Sequence, residues 1–141
     1  MDTILYYLAL SGILTVLLWT PYITARLFGW GLGTFLNNYP EGFPTKSPEQ
    51  PLWAARAQRA HLNMVETMPA FIAVVLAAVL MDGMSAAATA SVATWAEVFF
   101  FARVAHAIVY IAAIPALRTP VYLVSWLAIL MIGFEALGAA G

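Results

Sequence analysis

The chain has 141 residues, 63% of them hydrophobic and only 9% charged, with a net charge of −1 and no cysteine. A soluble domain of this size carries about a quarter charged residues, so the composition argues against a water-soluble fold. The lack of cysteine excludes disulfides, thiolate metal sites and a cysteine nucleophile, so any thiol chemistry needs a thiol brought by a ligand.

Four apolar segments are long enough to cross a hydrocarbon layer, which takes about 20 helical residues. They run over about 3–28, 52–81, 86–111 and 120–139. Helices are the expected form, because isolated strands leave backbone groups unsatisfied in lipid. The fold class is therefore an all-α integral membrane protein, a four-transmembrane-helix bundle forming one domain over 1–141. The start Met1-Asp2-Thr3 has no basic stretch, and no small-residue cleavage site follows, so the first segment reads as a retained span.

Gly29, Gly31 and Gly33 are expected to end the first span, before one long loop over about 29–51. Ser47-Pro48-Glu49-Gln50 resembles a capping box for the second. Pro69 is expected to kink that helix. Asp82-Gly83 reads as a tight turn with Ser85 as the next N-cap, and Thr119-Pro120 as the opening of the last helix. Trp19, Tyr22, Trp30, Trp53, Trp95 and Trp126 read mostly as membrane-interface anchors. All six basic residues, Arg26, Lys46, Arg56, Arg59, Arg103 and Arg118, lie at or towards the side of the first and third loops. The opposite side carries Asp2 and Asp82. By the positive-inside rule the basic side is cytoplasmic and both termini are outside.

Two polar sets interrupt this apolar chain, and an ionisable group at membrane depth is costly enough to mark a functional site. At about 100° per residue, Arg56, Arg59, Asn63 and Glu66 fall within about 80° on one face of the second helix, with His61 pointing away. Arg103, His106 and Tyr110 fall within about 60° on the third, with Glu97 off that face. Arg118 precedes the last helix on the same membrane side. Each set also has a structural reading, as intrahelical pairs or interhelical hydrogen bonds, and Arg118 reads equally as an anchoring arginine. Guanidiniums and an amide donate to carboxylates, and a carboxylate receives an ammonium. The ligand that fits is compact and net anionic, carrying carboxylates and an ammonium, while the apolar spans suit a second, lipophilic partner arriving from the bilayer. Glu135 reads as functional or as a pairing partner in a neighbouring helix. No metal-ligand cluster is seen, and no nucleic-acid partner is expected.

Arg59-Ala60-His61-Leu62-Asn63-Met64-Val65-Glu66 resembles the second-helix signature R-x-x-x-N-x-x-E of the MAPEG superfamily, the membrane-associated proteins of eicosanoid and glutathione metabolism. Arg103-Val104-Ala105-His106, followed by Tyr110, resembles its third-helix signature, and length and span count agree over the whole chain. The resemblance implies a homotrimer with glutathione between adjacent subunits. It makes Arg59, Asn63, Glu66, His106 and Tyr110 glutathione contacts, with Arg26 a further candidate. Arg56 and Arg103, from the two polar faces, join the expected binding set. The resemblance makes Arg118 the arginine that stabilises the glutathione thiolate, and sets Thr119 where some members carry a serine, although capping explains Thr119 here. The expected activity is a glutathione-dependent transferase or peroxidase on lipophilic electrophiles or lipid hydroperoxides, in a bacterial inner membrane with the site facing the cytoplasm. The alternatives are a non-catalytic lipid-binding or scaffolding protein of the same fold, and a small transporter. Retention of the polar set argues against the first, and the one-sided bunching of the charges against the second.

Overall fold

The computed structural model of the protein describes residues 2–37 and 49–139, and these form six helices. They are α1 (Asp2–Leu17), α2 (Thr20–Trp30), α3 (Leu32–Asn37), α4 (Leu52–Leu80), α5 (Ala86–Ile111) and α6 (Pro115–Ala139). Taking α1 and α2 together, four stretches are long and apolar enough to span a membrane: Asp2–Trp30, Leu52–Leu80, Ala86–Ile111 and Pro115–Ala139. Lys46 and the Ser47-Pro48 half of the expected capping box lie outside the described residues.

The first span is broken, and proline chemistry explains where. Pro21 has no N–H to donate to the Leu17 carbonyl four residues back, where α1 ends. The Thr20 hydroxyl donates to that carbonyl instead, at 2.8 Å. Of the three glycines expected to stop the span only Gly31 does so, at φ 77°, while Gly29 lies inside α2 and Gly33 inside α3. The loop expected over 29–51 therefore begins with helix. A single glycine in the left-handed region suffices to turn the chain, and nothing in the other two demands it.

α4 starts and ends within a residue of expectation and runs unbroken through Pro69. At about 1.5 Å per residue its 29 residues are about 43 Å long, more than the hydrocarbon core of about 30 Å. α5 has the bounds the sequence predicts, and Ser85 caps it by accepting from the Ala88 amide at 3.1 Å.

α6 starts five residues before the predicted position. Pro115, not Pro120, stands at its first turn, where a missing N–H costs nothing, and Pro120 lies within the helix. Arg118 and Thr119 thereby become helical residues, and Thr119 is not a cap. The turn that makes this possible is a complete Schellman motif: the Ala113 amide donates to the Tyr110 carbonyl at 3.2 Å and the Ile114 amide to Val109 at 3.0 Å. Ala113 takes the left-handed conformation, φ 60°, where glycine is usual.

α6 packs along α5, α4 lies against both, α1 covers α5 and α4, and α2 packs on α4. The main core joins Met64, Phe71 and Val75 of α4 to Val92, Ala96 and Phe99 of α5 and Ala128 and Ile132 of α6. Phe71 and Phe99 stack with centroids 3.8 Å apart and planes 11° from parallel. A second cluster joins Tyr22 to Ala54 and Ala57, the small side chains letting α2 lie close on α4. Tyr22, only 6% exposed, is thus a packed core residue rather than an interface anchor, whereas Trp19, Trp53 and Trp126 are exposed.

An alanine in the left-handed region costs about 1–2 kcal/mol, more for a β-branched residue. We therefore expect Ala113→Gly to hold or raise Tm in detergent and Ala113→Val to lower it by several degrees. Equal Tm values for the two variants would contradict the turn.

Candidate functional site

The α5–α6 turn brings the end of one helix and the start of the next beside α4, and two cavities form there. The outer one, about 230 Å³, is lined by Arg56 and Arg59 from α4, Tyr110 from α5, Arg118 from α6 and the turn itself. The inner one, about 180 Å³, is lined by Asn63, His106, Tyr110, Arg118, Thr119 and Tyr122. Each is smaller than the roughly 300–1,000 Å³ of typical small-molecule sites, but they share Tyr110 and Arg118 and so adjoin. The outer lining holds three guanidiniums and no carboxylate, which suits an anion.

Along the inner wall the rings of Tyr110, His106 and Tyr122 pack in sequence, with centroids 5.5 Å and 5.9 Å apart. A guanidinium closes each end. Arg118 Cζ lies 5.0 Å from the Tyr110 centroid, and Arg103 Cζ lies 5.9 Å from that of Tyr122. His106 is 2% exposed and its Nδ1 has no partner among the described residues.

Of the residues expected in the site, Arg56, Arg59, Asn63, His106, Tyr110 and Arg118 meet at these cavities. Arg56 also has a structural task, donating from Nε to the Ile111 carbonyl at 3.0 Å. That carbonyl belongs to the last turn of α5, where no helical donor remains, so the bond ties α4 to the turn that carries Arg118. Arg103 lines neither cavity. It is 1% exposed behind the inner one, with Nη2 on Asn63 Oδ1 at 2.9 Å and Nε on Met64 Sδ at 3.2 Å.

Glu66 is exposed and lines neither cavity, although it shares a helical face with Asn63. Arg26 also stands apart, on the far side of α4, where it donates to Gln58 Oε1 at 2.8 Å and to Gln50 Oε1 at 3.3 Å. Beside it the Tyr22 hydroxyl pairs with His61 Nδ1 at 3.0 Å. His61, correctly placed off the site face, thus helps hold α4 against α2.

Of the polar lining residues, Tyr122 escaped the sequence reading and Thr119 stood outside the expected site set. Tyr122 lies four residues after Arg118, on the same helical face, a spacing that would have found it had Arg118 been placed inside the helix. Thr119 was assigned to capping for the same reason. Among the described residues no group of three or more His, Asp or Glu side chains is placed to hold a metal ion.

Against known proteins, the family model described as MAPEG family matches residues 3–138. No curated protein matches the chain. No solved structure matches it either.

A charge-assisted hydrogen bond contributes about 1.5–3 kcal/mol, less where solvent reaches it. We expect Arg56→Gln to lower Tm measurably through loss of the Ile111 contact, and Arg59→Gln, exposed at the cavity rim, to leave it within a degree or two. The reverse order in a thermal melt would refute the structural task given to Arg56.

Proposed function

This chain belongs to the MAPEG family, the membrane-associated proteins of eicosanoid and glutathione metabolism, and from that premise we propose that it binds glutathione at the joined cavities and activates its thiol. The observation that carries the reading is the convergence of Asn63, His106, Tyr110, Arg118 and Tyr122 on one inner cavity beside the arginine-lined outer one. The protein is a multi-pass membrane protein. In this proposal its basic side, with the site, faces the cytoplasm of a bacterial inner membrane.

A free thiol has a pKa of about 8.5, so only a few per cent is thiolate at neutral pH. Arg118 borders both cavities and brings a fixed positive charge to their junction. An opposite charge next to the sulfur favours the anion, and each pKa unit is worth about 1.4 kcal/mol. The proton leaves to solvent and the thiolate attacks. With an electrophilic lipid such as an epoxide or an activated alkene, a carbon–sulfur bond forms as the ring C–O bond or the π bond breaks. The resulting oxyanion or carbanion takes a proton from solvent. With a hydroperoxide the sulfur takes the terminal oxygen, the O–O bond breaks and the alcohol departs. The resulting sulfenic acid condenses with a second glutathione, giving the disulfide and water.

Glu66 supports a homotrimeric assembly for the site. It lies fourteen residues from either end of α4, about 21 Å, and is exposed on the single chain. A carboxylate facing lipid at that depth costs several kcal/mol, which a neighbouring copy relieves by covering it. In the assembled site Glu66 receives the glutathione ammonium.

The test is thiolate absorbance near 240 nm on adding glutathione to the detergent-purified protein. A saturable signal is expected, with its pH midpoint well below 8.5, and Arg118→Ala abolishes the signal while glutathione still binds. Unchanged turnover in that variant removes Arg118 from the mechanism. Glu66→Gln weakens glutathione binding about tenfold through the lost ammonium contact, and equal affinity by calorimetry refutes that role.

A further inference from the structure

Among the described residues Arg103 is the largest fully buried side chain. It lies between α4 and α5, and among the described residues no carboxylate pairs with it. Its Nη1 is buried and has no hydrogen-bond partner among the described residues. Its two bonds are to the Met64 sulfur and to Asn63 Oδ1. A guanidinium has donors and no acceptor, so it can face only the oxygen of a carboxamide. Asn63, which lines the inner cavity, is therefore held with its oxygen inward and its Nδ2 donors turned from Arg103.

We propose that Arg103 is a positioning residue: it sets the orientation of the Asn63 amide, so that the inner cavity presents a fixed N–H donor to a carboxylate or peptide carbonyl of the ligand. An unconstrained amide flips and offers donor or acceptor with similar ease. Holding it removes the wrong state before the ligand arrives, the usual gain from preorganisation. Arg103 acts from behind the cavity and touches no ligand. The inference deepens the glutathione reading and rests on it for the ligand's identity.

Four variants test it by calorimetry with glutathione and by thermal melting of the ligand-free protein. Arg103→Gln puts a side chain that both donates and accepts behind Asn63, releasing the amide, and affinity falls about tenfold. Arg103→Lys keeps a donor-only group and binds glutathione more tightly than Arg103→Gln. Asn63→Leu loses at least as much affinity as Arg103→Gln, and adding Arg103→Gln to it brings no further loss. Asn63→Asp keeps an acceptor for Arg103 but turns an anion to the cavity, so Tm holds or rises while affinity falls at least tenfold.

In Arg103→Lys and Asn63→Leu, which leave the charge around the site unchanged, the pH midpoint of the thiolate signal at saturating glutathione stays at the wild-type value, because Arg103 works through the amide and not on the sulfur. Additive losses in the double variant, equal affinities for the Lys and Gln variants, or full glutathione affinity in Asn63→Asp each overturn the proposal. Should Arg103→Gln fail to fold, the Lys and Asp variants decide it. If the wild type binds no glutathione, the functional reading fails; the inference is then judged by the melts alone. A Tm for Asn63→Asp at or above wild type sustains the Arg103–Asn63 pairing, and a marked fall overturns it.

Discussion

Arg103 puts a permanent charge inside an apolar bundle, one turn of α5 from Phe99 and against Met64 of α4. A buried guanidinium is tolerated only where hydrogen-bond acceptors compensate for lost water, and here they come from the facing helix. That requirement sets the register of α4 on α5. Once Asn63 meets Arg103, Phe71 meets Phe99 two turns further along, and Arg56 reaches the last carbonyls of α5 in the other direction. Core stacking, the polar contact and the helix-end contact are three readings of one register, so each supports the others.

The turn after α5 carries that register into α6. Arg56 holds Ile111, the Schellman bonds hold Ala113 and Ile114, and Pro115 starts the next helix at once. Arg118 then comes to lie over the Tyr110 ring, less than one turn of α6 from its start. Backbone strain at Ala113 fits such a place, since a left-handed residue persists only where its surroundings over-determine it. On the other side of α4, Tyr22 with His61 and Arg26 with Gln50 and Gln58 oppose rotation of the helix. The α4 helix is thus held on two faces, which keeps Arg59 and Asn63 aimed at the cavities.

Lipid explains much of what remains. Leu, Ile, Phe and Val side chains stay exposed along all the long helices, as expected for spans whose outer faces meet hydrocarbon. Two carboxylates interrupt that apolar exterior: Glu97, exposed on α5, and Glu66, exposed halfway along α4 and lining neither site cavity. Within the proposed reading, a second copy of the chain supplies both the cover and the purpose of Glu66.

The sequence by itself determined the four spans, the bounds of α4 and α5, the Ser85 cap and the two polar faces. Hydrophobic length and 100° periodicity are local properties, and a capping serine acts within one turn. It also placed six of the nine expected site residues at the cavities, because a helical face is defined without knowing its neighbour. It misplaced the start of α6, since Thr119-Pro120, a capping residue before a proline, is the better local opening, and the turn after α5 starts the helix at Pro115 instead. Tyr122 and Thr119 were lost with that choice. Only the tertiary structure decided that Arg103 stands behind the site, that Arg56 holds a carbonyl and that Arg26 belongs to the α2 contact. The partner of a long charged side chain lies on another helix, and periodicity along one helix carries no record of it.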